Sequence, residues 1–186
     1  MNILIIGPPG VGKGTQAKLI KNELGIIHLS TGEILRKEIE NKTEIGIKAK
    51  LYIDKGEFIP DLTILEIIQR RLAFSDCSKG YILDGFPRTL PQAIGLDKII
   101  TELNQNLDIA ISLTADEKVL EKRLIERSLK DKRSDDMPAI IKKRQKIYWK
   151  RTAPLLKFYK SKGILKQVNG LGKIHQITIN IMNLLK

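Results

Sequence analysis

Near the start of the chain, Gly7-Pro8-Pro9-Gly10-Val11-Gly12-Lys13-Gly14-Thr15 combines the residue types that hold phosphate. It follows a short apolar run, Asn2–Ile6, that predicts a strand, and it opens Lys13–Leu24, which predicts a helix. Glycines at such a junction let backbone N–H groups close around anionic oxygens, and the helix N-terminus adds a favourable dipole. Lys13 is placed to reach the outer phosphates of a nucleotide. The loop departs from the general pattern G-x-x-x-x-G-K-[ST]. Gly14 stands where a magnesium-binding hydroxyl normally sits, and Thr15 comes one place later.

A second cluster, Leu83-Asp84-Gly85-Phe86-Pro87-Arg88-Thr89-Leu90-Pro91-Gln92-Ala93, follows the predicted strand Tyr81–Leu83. Residues at the carboxyl end of a parallel strand face the ligand crevice. There an acid can order the water of a magnesium ion, and an arginine can fork onto a phosphate. A glutamine amide can read the edge of a base. His28 and His175 have no ligand-spaced partner, and Cys77 lacks a second cysteine, so packing or surface roles are expected for all three. Asn41-Lys42-Thr43 is formally a glycosylation sequon, with little meaning in the absence of a secretory signal.

These groups must be carried on a frame. Short apolar runs alternate with helical patterns, the signature of a parallel α/β sheet. Strands are predicted at Asn2–Ile6, Ile26–Leu29, Tyr81–Leu83, Ile109–Leu113 and Ile164–Val168, without clean alternation, as when both sheet faces are covered. Helices are predicted at Lys13–Leu24, Pro91–Leu103, Asp116–Arg127, Met137–Lys160 and Gly172–Leu185. Ser30 to Ile59 reads as a polar, helical insertion after the second strand. Ser128 to Lys132 reads as a short charged break between two basic helices.

The 186 residues suffice for one domain with a full core, and 42% apolar with 29% charged residues is ordinary for a globular chain. The early apolar run Ile3–Ile6 is cut by Gly7, far short of the ~20 residues that cross a bilayer. No charged segment precedes it, which argues against a signal peptide. One cysteine excludes an intrachain disulfide and fits a reducing compartment, so a cytoplasmic location is expected. The net charge of +12 is concentrated: between Asp116 and Lys166, 17 Lys and Arg face 7 Asp and Glu, an excess of +10. Such a stretch can hold nucleic acid or polyphosphate, or form a solvated lysine-rich face. No aromatic stacking run or zinc spacing accompanies it.

Taken with Leu29-Ser30-Thr31-Gly32-Glu33-Ile34-Leu35-Arg36, the two clusters make the chain resemble an adenylate kinase of the nucleoside monophosphate kinase family. The resemblance runs essentially end to end. It takes in Gly56-Glu57-Phe58-Ile59-Pro60-Asp61, Arg123, Arg127, Arg133-Ser134-Asp135-Asp136, Arg144, Thr152-Ala153-Pro154-Leu155 and Val168-Asn169-Gly170. It implies an α/β P-loop fold, with a five-stranded parallel sheet flanked by helices and two mobile insertions within a single domain, 1–186. Residues 30–59 would clamp AMP, and 127–137 would be a short lid over ATP.

The resemblance also implies roles. Gly10, Val11, Gly12, Lys13, Gly14 and Thr15 would bind the ATP phosphates. Thr31, Arg36, the backbone of Glu57, Phe58 and Ile59, then Gly85, Phe86, Pro87, Arg88 and Gln92 would hold AMP. Arg123, Arg127, Arg133 and Arg144 match the family's phosphate-binding arginines, of which Arg133 and Arg144 also face AMP. Lys13, Arg88, Arg127, Arg133 and Arg144 would act in catalysis, and the backbone near Gly172 would meet the adenine of ATP. Asp84 would hold Mg2+ through water, with Asp135 or Asp136 helping or latching the lid. Lys142, Lys146 and Lys150 are expected to be solvated. Long-lid relatives often carry a small sheet, sometimes with a four-cysteine zinc site. Here the excursion between Arg127 and Arg133 is five residues, so the short-lid form and no structural zinc are expected. Short lids usually place glycine before the arginine equivalent to Arg133; Lys132 stands there instead.

The reaction so implied is MgATP + AMP ⇌ 2 ADP, in a monomer whose partners are ATP and AMP or ADP, with neither nucleic acid nor membrane. The attacking AMP phosphate is largely ionised at neutral pH, since its second pKa is about 6, so no general base is assigned. The alternatives are a UMP/CMP kinase, a non-catalytic nucleic-acid-binding P-loop protein, and a switch GTPase. Against the last, Asn41-Lys42-Thr43-Glu44 lacks the aspartate of a guanine-reading Asn-Lys-x-Asp and lies too early.

Overall fold

The computed structural model describes residues 1–131 and 134–185. Five parallel strands, β1 (Asn2–Ile6), β2 (Ile27–Ser30), β3 (Tyr81–Asp84), β4 (Ile109–Thr114) and β5 (Leu165–Asn169), form one sheet in the order β2-β3-β1-β4-β5. The three inner strands are buried almost throughout, while Lys166, Gln167 and Asn169 of the edge strand β5 face solvent. That is why the inner strands read as continuous apolar runs. Along β1 the side chains alternate between two cores: Leu4 and Ile6 join one, Ile3 and Ile5 the other. The chain builds first to one side of β1 and then to the other. The diverging loops at that change of direction leave a crevice at the carboxyl ends of the strands.

Helix α1 (Lys13–Leu24) begins after Gly12 and ends at Gly25, both in the left-handed region. Ser30 caps α2 (Thr31–Glu40), its hydroxyl accepting from the backbone N–H of Glu33. Thr43 caps α3 (Glu44–Ile53) in the same way through Gly46. Two helices, within the expected insertion 30–59, are therefore locally encoded. Helix α4 (Asp61–Leu72) was not anticipated; it buries Ile64, Ile68 and Leu72 at helical spacing. Helix α5 (Leu90–Glu102), capped by Thr89, follows.

Two sequence expectations are corrected downstream. The charged break at Ser128–Lys132 is absent as far as Asp131, because α6 runs from Glu117 to Asp131. Leucine and lysine are good helix formers, and charge alone does not end a helix. The single helix expected over Met137–Lys160 is three segments: α7 (Pro138–Ile147), a π turn (Tyr148–Thr152) and α8 (Pro154–Ser161). Pro154 has no N–H, and its ring would collide with the carbonyl four residues back. The backbone widens instead, and Ala153 N–H donates to the Tyr148 carbonyl, five residues earlier, at 2.9 Å. The chain closes with α9 (Ile174–Leu184), which buries Ile177 and Ile181 while Ile174 stays half exposed. Arg133 and Lys132 lie outside the described residues.

Candidate active site

A cavity of about 740 Å³ opens at the carboxyl ends of the strands. Its floor is the loop between β1 and α1, with Gly10, Val11, Gly12, Lys13, Gly14 and Thr15 all on the wall. Gly10 has φ +86°, and a Cβ there would sit 2.8 Å from the Leu120 carbonyl oxygen of α6, so only glycine lets loop and helix approach. The Lys13 ammonium donates to the carbonyls of Gly7, at 2.7 Å, and Pro8, at 3.0 Å. Burial pushes its pKa down to about 7; Asp84 pulls it up, while Arg88, Arg144 and Arg127 push it further down. Asp84 lies at the end of β3, beside Gly14. Desolvation alone would raise its carboxyl, but the His28 hydrogen bond at 3.3 Å, Lys13 and Arg88 outweigh that and hold it below the usual range.

The opposite wall carries Thr31, Arg36, Glu57, Phe58, Ile59, Gly85, Pro87, Arg88 and Gln92. Arg88 is fixed at four points. Its Nε donates to the Gly85 carbonyl at 2.6 Å, and its backbone N–H to Gln92 Oε1 at 2.7 Å. Its carbonyl accepts from Thr152 Oγ1 at 2.9 Å, and its guanidinium lies over the Phe58 ring at 5.2 Å. Desolvation, aided by Arg144 and Arg36 against the pull of Asp84 and Asp135, lowers the Arg88 pKa to about 10. Gly85, at φ +81°, is held to glycine because a Cβ would meet Thr31 Oγ1 at 2.8 Å. Phe86 stands apart from its neighbours. It is 1% exposed in the core and does not face the cavity.

Helices α6 and α7 supply a third wall. Arg127 grips Asp136 with two bonds, Nε to Oδ2 at 2.6 Å and Nη2 to Oδ1 at 2.7 Å. Arg144 Nη1 reaches Asp136 Oδ1 at 2.6 Å and Asp135 Oδ2 at 2.9 Å. Asp136 is wholly buried between the two arginines. Of the two acids left open by the sequence, Asp136 is thus the one enclosed by arginines. Arg123 donates to the Gly170 carbonyl at 3.2 Å, and Gly172 borders the same space. Arg133, expected here, is outside the described residues. Lys142, Lys146 and Lys150 point to solvent.

Four partners escaped the sequence reading. His28 faces Asp84, where packing or surface was expected. Thr152 holds the Arg88 backbone, Asp61 accepts from Gln92, and Lys143 of α7 pairs with Glu57 at 2.7 Å. Each lies 31 to 86 residues from its partner, so no local pattern marks it. Among the described residues no group of three or more His, Cys, Asp or Glu could hold a metal, and no helix is long and apolar enough to cross a membrane.

The model of the adenylate kinase family matches residues 5–164. An adenylate kinase of Leptospira biflexa is 47% identical over 180 residues, covering 97% of both chains. Those of Cyanothece sp. and Bifidobacterium longum are each 45% identical, over 98% of this chain and 93% and 98% of their own. A match over nearly the whole of this chain and of each relative has one meaning: this chain belongs to the adenylate kinase family.

Proposed function

We propose that the chain transfers the terminal phosphoryl group of MgATP to AMP, reversibly, giving two molecules of ADP. One observation carries the reading: the Lys13 loop and the Arg88–Gln92 wall line a single cavity, so two nucleotides can meet in it. Its volume falls within the ~300–1,000 Å³ typical of ligand pockets.

Transfer between two polyanions needs little covalent help and much charge compensation. Loop N–H groups and Lys13 receive the ATP phosphates, while Arg36 and Arg88 receive the AMP phosphate. Arg123, Arg127 and Arg144 face the phosphoryl group between them, where charge develops. Arg133 is proposed to join them. Gln92 and Thr31 address the AMP base, and the Gly172 backbone the ATP base. The fixed position of Arg88 keeps the acceptor oxygen in line, so orientation costs nothing at the moment of transfer. No residue acts as general base.

Asp84 fits a role in holding Mg2+ through water. Its carboxylate is ionised, lies beside Gly14 and borders the cavity. The ion, when bound, would neutralise phosphate oxygens; no structural zinc is proposed. Residues 30–59 and 127–137 are proposed as the AMP clamp and the lid, whose closure excludes water and so prevents ATP hydrolysis. The Glu57–Lys143 pair and the Phe58 ring beneath Arg88 and Arg151 join the clamp to the far wall. The protein is proposed to work as a cytoplasmic monomer. Steady-state assay of ATP against AMP, UMP, CMP and GMP tests the reading. Preference for AMP is expected; equal use of UMP or CMP would move the assignment to a UMP/CMP kinase.

A further inference from the structure

A primary amide such as that of Gln92 can face a base in two ways, related by exchange of its oxygen and nitrogen. The two ways read opposite chemistry. With Oε1 toward the C6 position of a purine, the amide accepts from an amino group and opposes a carbonyl oxygen. With Nε2 there, the preference reverses. AMP and IMP differ in this respect, one carrying a 6-amino group and the other a 6-oxo group.

In this protein the exchange is blocked from two sides. Gln92 is 2% exposed, and its Oε1 accepts the Arg88 backbone N–H at 2.7 Å. Its Nε2 donates to Asp61 Oδ1 at 2.7 Å. The exchanged amide would set donor against donor at Arg88 and oxygen against oxygen at Asp61. The Arg88 contact is backbone, present whatever the sequence. The Asp61 contact depends on one side chain, the first residue of α4, brought across from an element 31 positions earlier. Asp61 Oδ1 is itself located by the Thr89 hydroxyl at 3.1 Å, and Thr89 caps the helix that carries Gln92. Both bonds leave one Nε2 hydrogen and one Oε1 lone pair for a ligand, on a side chain that borders the cavity.

We infer that Asp61 is a positioning residue that sets which end of the Gln92 amide meets the monophosphate base, and so selects 6-amino over 6-oxo purines. The inference rests on the proposed placement of AMP against Gln92. Asp61 does not touch the nucleotide. A hydrogen bond to a charged group contributes ~1.5–3 kcal/mol net, equivalent to roughly ten- to a hundredfold. The Arg88 contact retains part of the orientation in its absence, so the lower end applies.

The test is the ratio of kcat/KM for AMP to that for IMP, with ATP as donor. Wild-type protein turning over AMP supports the proposed function independently of the ratio, and its failure to do so would defeat that function instead. Asp61→Ala is expected to narrow the AMP-to-IMP ratio by about tenfold, with the KM for ATP unchanged within about twofold. Asp61→Asn retains an oxygen acceptor for Nε2 and is expected to restore most of the ratio, which a loss of fold or of charge alone would not produce. Should Asp61→Ala be too unstable to assay, Asp61→Ser, whose oxygen reaches one bond less far, carries the same expectation. An unchanged ratio in the truncated variant overturns the inference. So does an equal narrowing in Asp61→Asn, since the acceptor is then not what matters.

Discussion

Replacing Asp136 with asparagine keeps the volume of the side chain and removes only its charge and one acceptor oxygen. Among the described residues, three short charge-assisted bonds converge on it, two from Arg127 and one from Arg144, at 2.6–2.7 Å. Asp136 is fully buried, while the Arg127 and Arg144 side chains keep 29% and 15% of their exposure. Removing one partner of a buried ion pair costs about 3–5 kcal/mol, because the other charge is left uncompensated. Here the arginines retain some water, which places the loss near the lower end, at about 3 kcal/mol. For a chain of this size each kcal/mol lowers Tm by roughly 2–4 °C, so a fall of about 6–12 °C is expected without nucleotide. The same arginines are proposed to receive phosphate. Saturating ATP or ADP should therefore raise the Tm of the variant more than that of wild type, as the ligand replaces the missing anion. Differential scanning fluorimetry with and without nucleotide measures both. A variant that melts within about 2 °C of wild type when empty would show that Asp136 does not hold the two arginines together.

Lys13→Met is expected to abolish transfer while leaving circular dichroism and Tm essentially unchanged, since the ammonium sits in a site that disfavours its charge; activity above a tenth of wild type refutes this. Because the Lys13 pKa is lowered to about 7 and phosphate would restore it, ATP binding above pH 7 should take up a proton and weaken as pH rises. Calorimetry at pH 8 in buffers of different ionisation heat reads that uptake directly, and equal observed heats in all of them would refute it. Elemental analysis is expected to find no stoichiometric zinc, and chelation to stop catalysis while the Tm of the nucleotide-free protein stays put. AMP is expected to exceed UMP and CMP by at least ~10-fold in kcat/KM, the cost of a buried unpaired amide. Gln92→Ala should narrow that gap more than it alters the KM for ATP.

What was legible in the sequence was what is local. The inner strands announce themselves because both their faces are covered, and the loop from Gly7 to Thr15 because strand, glycines, lysine and helix follow one another directly. Helix α4 escaped because its buried Ile64 and Ile68 stand next to Leu65 and Ile67, while Leu62 is 76% exposed. The apolar residues blur the helical period instead of marking one face. The π turn before Pro154 escaped for a different reason: a proline inside a helical pattern announces a disturbance, yet not whether the helix ends or widens. At the site, motif positions named the cavity-lining Lys13, Arg88 and Gln92 but also Phe86, which packs in the core, and they gave no orienting partners. His28 meets Asp84 across 56 residues and Thr152 meets Arg88 across 64. Such pairs exist only once the sheet order is fixed.

Among the described residues, the basic excess between Asp116 and Lys166 contains two populations with different physics. Lys142, Lys146 and Lys150 face water, where their charge serves solubility. Arg123, Arg127 and Arg144 turn inward and share one cavity with Lys13, Arg36 and Arg88. Cations so arranged repel one another and lose water, and both effects are visible in the depressed pKa values of Lys13 and Arg88. Asp84, Asp135 and Asp136 offset part of that repulsion and leave the rest for ligands. In the proposed reaction two nucleotides would bring several negative charges, and the phosphoryl group in transfer would bring charge to the place where the cations converge. A site held together by its own carboxylates alone would gain little when phosphate arrived. On the proposed function, a site with repulsion left over gains most when both nucleotides are present, and the proposed closure would thereby be coupled to a full set of substrates.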